Sequence, residues 1–451
     1  MNQRFQTLYM RFDIMKRMGI SLATVFLIAF VLSGVYAQEA VYPSVLLKGG
    51  HVIDPANNIS KIMDVLVRDG KIVSVDSNIS ESEAEKVVDV SKYYVTPGLI
   101  DIHVHCFHTS REHQLSIIAD HHHFPSGVTT VVDAGTSGAR SFEDFKKVID
   151  SSRVRILAFL NIAAQGMGPA EMDPSQFNVK LAAETAKKYP DIIVGFKTAH
   201  YFGLNIEIPF DDFRTPWASV DSVIAAGRMA DLPVMLDCHP KPPSGDYSAR
   251  SFQDIILKKM RPGDIYTHCF ARQFPLVLAD EKVNPDVIKA RKRGIIFDVG
   301  HGGAAFTFKV AVPAIEQGFL PNSISTDLHR GNVNGPVYNM VNVMSKFLCM
   351  GMLLEDVIRC STANPVHYIN RPELGNLSVG STADIAVLEM LTGDFSYSDV
   401  GMGKIEGDKK LRNVLTLFGG EIVYDLSGIS YPLWENIPAN DDYWSRPVQD
   451  W

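Results

Sequence analysis

Eight short, almost uninterrupted apolar runs recur through the middle of the chain, each followed by a segment of helix length. They are Leu99–Val104, Thr129–Asp133, Arg155–Leu160, Ile192–Phe196, Pro233–Asp237, Asp264–Thr267, Ile295–Asp298 and Ser323–Thr326. A strand that is apolar on both faces is buried on both faces, which is the environment of a parallel strand covered by helices. Eight strand–helix repeats close into a barrel more naturally than they extend an open doubly wound sheet. No glycine fingerprint for a dinucleotide or a phosphate loop opens any of the helices, so a Rossmann reading has no support.

The flanks read differently. Val45–Gly50, Asp64–Val67 and Ile72–Val75 are short strands, the last two joined at Asp69-Gly70. Turn residues between alternating strands are the antiparallel signal. The same texture returns at 382–388 and 414–423. The expected architecture is therefore α/β: a TIM (β/α)8 barrel over 97–374, with a small β-sandwich domain built from both chain ends, 38–96 and 375–430. A C-terminal tail fills 431–451.

The amino terminus reads as an address. Arg11, Lys16 and Arg17 precede an apolar run from Ile20 to Leu32, and Ser33-Gly34-Val35-Tyr36-Ala37 follows with small residues suited to a cut after Ala37. That layout predicts a signal peptide over 1–37 and a secreted or periplasmic protein. The run is shorter than the roughly 20 residues that span a bilayer, so no stable membrane anchor is expected once the segment is cut. The net charge is −8, from 43 basic and 51 acidic residues, which argues against nucleic acid as the partner. Five cysteines with no CxxC pair exclude a thiolate zinc knuckle and argue against a disulfide framework.

Catalytic groups of a barrel sit where its strands end. Here those ends are polar: His103-Val104-His105 closes the first run, Lys197 the fourth, His239 the fifth, His268 the sixth and Asp327 the eighth. Residues two apart in an extended segment share a face, so His103 and His105 point together. The successive intervals from His103 to Lys197, His239, His268 and Asp327 are 94, 42, 29 and 59 residues, which fit three, one, one and two strand–helix units. Imidazoles with one carboxylate suit zinc or a similar divalent ion. A lysine among them is consistent with a metal only if its amine is uncharged or carboxylated. The run His121-His122-His123 precedes the second strand and so belongs to the stability end of the barrel. Cys106, Cys238 and Cys269 read as small packing residues beside the site.

The chain resembles the amidohydrolase superfamily of metal-dependent hydrolases, in its dihydroorotase-like branch, and within it the amidohydrolase/deacetylase enzymes. The resemblance is carried by Pro97-Gly98-Leu99-Ile100-Asp101-Ile102-His103-Val104-His105, Gly195-Phe196-Lys197, Tyr266-Thr267-His268-Cys269-Phe270, Phe297-Asp298-Val299-Gly300-His301-Gly302 and Ser325-Thr326-Asp327-Leu328-His329, with Thr362-Ala363-Asn364-Pro365 and Gly380-Ser381-Thr382-Ala383-Asp384 later. It implies two divalent metal ions, Zn2+ by preference, held by His103, His105, Lys197, His239, His268 and Asp327. Lys197 would be N6-carboxylated and bridge the pair, a bridging hydroxide would attack the substrate, and Asp327 would be the catalytic proton carrier. His301, His200 and Arg272 are the expected substrate-binding residues.

Dihydroorotases read H-x-H-x-R at the first strand, where this chain has Phe107. The reading favoured is a deacetylase that cleaves an acetyl amide or ester of a small molecule. The alternatives are a cyclic amidohydrolase of the dihydroorotase or hydantoinase kind, and a catalytically inactive barrel acting as a binding module. The expected partner is a small acylated molecule, and a homo-oligomer is compatible with the sequence.

Overall fold

A computed structural model describes residues 43–111, 113–200, 218–237 and 254–437. The expected signal segment lies outside the described residues. Among the described residues no helix is long and apolar enough to cross a membrane.

The chain begins with β1 (Val45–Asp54), which pairs antiparallel with β2 (Ile59–Arg68), and β2 pairs with β3 (Lys71–Asp76). The β2–β3 connection is Asp69-Gly70, with φ of 48° and 71°, the left-handed pair that a two-residue hairpin requires. Strands β4 (Lys86–Asp89) and β5 (Tyr94–Pro97) lie parallel to β1.

The barrel follows. Its strands are β6 (Leu99–Val104), β7 (Val128–Gly138), β8 (Arg155–Asn161), β9 (Ile193–Lys197), β10 (Val234–Leu236), β11 (Ile265–Tyr266) and β12 (Ile296–Phe297). All pair in parallel and in sequence order. The eighth run is too irregular to form a ladder but closes the ring. Ser323 bridges Asp298 beyond β12, and Leu328 bridges Val104 at the end of β6, both in parallel.

Side chains from successive strands fill the interior: Ile100, Val132, Leu157, Phe159, Val194, Met235 and Ile265 form one cluster, closed at one end by Val366 and Ile369. Val131, Leu160, Val234, Leu236 and Phe297 face the other way, into the larger core against the helices. Each fully buried aliphatic or Phe side chain contributes about 1.5–3 kcal/mol. This double burial is why the strands carry almost no polar residues until their ends.

After the barrel, β13 (Ile385–Ser398), β14 (Lys404–Phe418) and β15 (Glu421–Asp425) return to the first sheet. β13 pairs antiparallel with β5. Both chain ends thus share one continuous eight-stranded sheet, in the order β15-β14-β13-β5-β1-β2-β3 with β4 on β1.

Candidate metal centre

The end of β6 delivers His103 and His105, and the closing eighth segment delivers Asp327 between them. Asp327 Oδ1 lies 3.0 Å from His105 Nε2 and 3.7 Å from His103 Nε2. The three residues offer ligand atoms that all lie within 4.8 Å of one another. Backbone bonds fix this join: Asp327 N donates to the His103 carbonyl at 2.6 Å, and His105 N donates to the Leu328 carbonyl at 3.1 Å. Asp327 has φ of 50° and His268 φ of 62°, a left-handed backbone that non-glycine residues adopt where the surroundings impose it, commonly at functional sites.

The imidazoles are aimed by their outer nitrogens. His268 Nδ1 lies 2.6 Å from the Gly300 carbonyl, which can only accept, so Nδ1 carries a proton and, in the neutral ring, Nε2 is the nitrogen free to bind a metal. Thr267 donates its hydroxyl proton to Asp298 at 2.7 Å, so its oxygen accepts from His103 Nδ1 at 2.8 Å, and His103 Nε2 is bare as well. His105 Nδ1 pairs with Thr136 Oγ1 at 2.8 Å. A bare Nε2 held from behind is the form in which histidine binds a metal.

Charges follow from burial. Desolvation pushes His103 down to about 4, so the ring is neutral at physiological pH. Asp298 is buried too, yet its neighbours, with hydrogen bonds from Ser323 and Thr267 among them, overcome the desolvation and hold it below the usual carboxylate range. The buried Asp327 is likewise held far below that range, with a hydrogen bond from His105 among the causes.

Lys197 closes β9 and is 1% exposed, one of the largest fully buried side chains. Its Nζ makes no hydrogen bond among the described residues, and neither does His103 Nε2. Asp237, just past β10, places Oδ2 3.7 Å from Lys197 Nζ and 3.3 Å from His268 Nε2. A buried amine without a hydrogen-bond partner is costly. Beside imidazole nitrogens and carboxylates, it fits a site built to hold a metal ion.

Three glycines make room for these groups. A Cβ at Gly300 would stand 2.4 Å from Thr267 Oγ1 and 2.7 Å from His268 Nδ1. One at Gly302 would stand 2.3 Å from Asp327 Oδ2, and one at Gly135 2.8 Å from Lys197 Cβ. All three also have positive φ.

Above the ligands opens a cavity of about 390 Å³, to which His113, Met167, Glu171, His200 and His329 contribute. His200 is the expected substrate-binding residue that reaches it. Its Nδ1 lies 3.1 Å from Glu171 and its Nε2 2.5 Å from Asp237. Burial works against its charge, but the two carboxylates outweigh that and raise its pKa well above the ordinary value. His301 does not line the cavity: it is fully buried, stacked on Phe306, with Nε2 2.7 Å from Lys346 Nζ. Arg272 is exposed and is also not among the cavity-lining residues. His239 lies outside the described residues. Phe107 is buried against Phe145, with ring centroids 5.0 Å apart. His123 of the triple-histidine run is buried before β7, its Nδ1 bonded to the Ala119 carbonyl.

Sequence reasoning did not single out Glu171, Asp237 or His113 as cavity residues. Asp237 had a signal, since it stands at the polar end of an apolar run. Glu171 sits in a short 3-10 turn, Pro169–Met172, after β8, where no periodicity marks it.

Residues 308–423 match the model of the Amidohydrolase family. A deacetylase of Agrobacterium fabrum is 33% identical over 345 residues, covering 74% of this chain and 80% of that protein. A deacetylase of Enterococcus faecalis is 28% identical over 392 residues, covering 84% and 98%. Among solved structures, one titled as an adenine deaminase superposes with a TM-score of 0.74 at 27% identity, over 84% of this chain and 99% of that one. One titled as a dihydroorotase gives a TM-score of 0.71 at 29% identity over the same shares. Closed barrel, converging bare imidazoles and these relatives lead to one statement: the chain belongs to the amidohydrolase family, and is a metal-dependent hydrolase acting on amide bonds.

Proposed function

We propose that this chain is a deacetylase that removes an acetyl group from the amide or ester of a small molecule. The observation that carries the reading is the convergence of His103, His105 and Asp327 within 4.8 Å, together with the buried Lys197 Nζ, which makes no hydrogen bond among the described residues. His103, His105 and Asp327 would hold one divalent ion. His268 and a carboxylated Lys197 would help to hold a second, and zinc suits these donors. When bound, such ions lower the pKa of water and polarise the substrate carbonyl.

The chain's own groups do the rest. Asp327 would take the proton of the attacking water and return it to the leaving group. Thr267, Thr136 and the Gly300 carbonyl keep the three imidazoles in position. Met167 and Met172 give the cavity an apolar wall suited to a small acyl group. At Phe107, where a dihydroorotase has its substrate-gripping arginine, the side chain is buried in the shell of the barrel. This favours an acylated substrate over dihydroorotate. The curated relatives named deacetylase, at about 30% identity, support the same choice.

A cyclic amidohydrolase is the second reading, favoured by the likeness to a solved dihydroorotase. Assays of acetyl esters and N-acetyl amino acids against dihydroorotate and hydantoins separate the two. Deacetylation with no turnover of the cyclic substrates is the expected result, and the reverse refutes the proposal. A protein that binds no metal and is unaffected by Lys197→Ala would instead be a binding module. We further propose export through the segment 1–37, which N-terminal sequencing of the mature protein checks: it should begin at Gln38.

A further inference from the structure

Strand β10 ends at Leu236, and the next residue into the barrel mouth is Asp237. Met235 packs in the interior cluster, while Val234 and Leu236 pack outside. Alternation therefore turns Asp237 inward. Its contacts agree: Oδ2 is 3.3 Å from His268 Nε2 and 3.7 Å from Lys197 Nζ. The backbone N of Asp237 donates to Thr198 Oγ1 at 2.8 Å, which ties it to the residue after Lys197.

The same oxygen meets His200 Nε2 at 2.5 Å, and His200 Nδ1 lies 3.1 Å from Glu171 Oε2. Glu171 is itself 2% exposed and anchored by Asn161 Nδ2 at 2.8 Å. A carboxylate braced by an imidazole, which is braced in turn by a second carboxylate, is how metal-binding carboxylates are commonly oriented. A purely structural ion pair with Lys197 would close to about 2.7–2.9 Å. At 3.7 Å it does not close, and Lys197 Nζ has no hydrogen bond among the described residues.

We propose that Asp237 supplies the β10 ligand of the second metal ion, the place the sequence spacing gives to His239, with His200 and Glu171 as its positioning residues. This rests on the two-metal reading above. Asp237 and His239 are two residues apart, so either could present a ligand on one face of an extended segment, and the difference is measurable.

The full chain would be stripped with a chelator and titrated with Zn2+. Bound metal per chain would be read by elemental analysis, and affinity by competition with a chromophoric chelator. The wild type should take two ions. Asp237→Asn should keep one and lose the other, its second-site affinity falling more than about 100-fold, beyond the range of an orienting partner. Asp237→His, which restores a ligand, should again take two. His200→Gln should weaken the second site about 10–100-fold with the stoichiometry kept. His239→Asn should titrate as wild type. Circular dichroism of each stripped variant distinguishes lost metal from lost fold.

If His239→Asn loses the second ion and folded Asp237→Asn keeps it, the assignment to Asp237 is overturned while the two-metal reading stands. If the wild type takes no metal, or His105→Ala loses none, the two-metal reading fails and this inference falls with it.

Discussion

A single methyl group added at Gly300 tests whether the outer hydrogen bonds really aim the imidazoles. Gly300 has φ of 44°, and a Cβ there would stand 2.4 Å from Thr267 Oγ1, 2.7 Å from His268 Nδ1 and 3.0 Å from His103 Nδ1. Ordinary contact begins near 3.4 Å. Gly300→Ala must therefore push the Thr267 hydroxyl or the His268 ring by about 1 Å, and a displacement of that size at reacting groups costs on the order of 100-fold in rate. Backbone strain is a separate effect, about 1–2 kcal/mol for an L-residue in the left-handed region. Gly318→Ala isolates it: φ there is 79°, but nothing lies within 4 Å of the added Cβ. Both variants should lose global stability, measured by denaturant unfolding, by that strain. Only Gly300→Ala should also lose metal affinity, by about 10–100-fold, with turnover of an acetylated substrate falling alongside. A Gly300→Ala protein with wild-type metal affinity and rate would refute the claim that these outer contacts set the site.

Further expectations follow from the same geometry. Thr267→Val removes the hydroxyl between Asp298 and His103, and should lower metal affinity about 10–100-fold with little change of volume, as read by chelator competition. Burial pushes Lys346 down to about 7, against an opposing pull from Asp399. The unfolded chain then binds the extra proton between about pH 7 and the ordinary lysine range, so stability should rise with pH across that window. Unfolding curves of Lys346→Met should show a shallower rise, and an unchanged slope would exclude Lys346 as its source. Chelation should lower the melting temperature, and Zn2+ at about 100 times its Kd should return about 2.7 kcal/mol if the unfolded chain binds none.

The parts of this site that the sequence makes legible share one property: their residue types are expensive where they stand. Imidazole, ammonium and carboxylate groups at the ends of doubly buried strands need a reason to be there, and a repeat of about 30 residues then links His103, Lys197, His268 and Asp327. The strands are readable for the converse reason, since β6 through β12 must be apolar on both faces. Where legibility fails, the missing information is spatial. Asp237-Cys238-His239 sets two ligand types on one parity, so alternation cannot choose between them. Threonines are common, and nothing local marks Thr267 and Thr136 as holding imidazoles.

His301 shows the limit most plainly. Its place after the seventh strand suggests a group facing substrate, but Gly300 and Gly302, with φ of 44° and 55°, bracket a local backbone that sends the ring away from the cavity. There it meets Lys346 Nζ, which also donates to the carbonyls of Pro336 and Ser398 at 2.8 Å. Ser398 ends β13, a strand of the sheet built from both chain ends. The loop that holds Gly300 behind His268, and Gly302 against Asp327, is thus pinned to that sheet through the buried Lys346 side chain. The terminal sheet accordingly has a physical role in the metal centre: it fixes the loop whose glycines make room for two ligands, a dependence that only the folded chain displays.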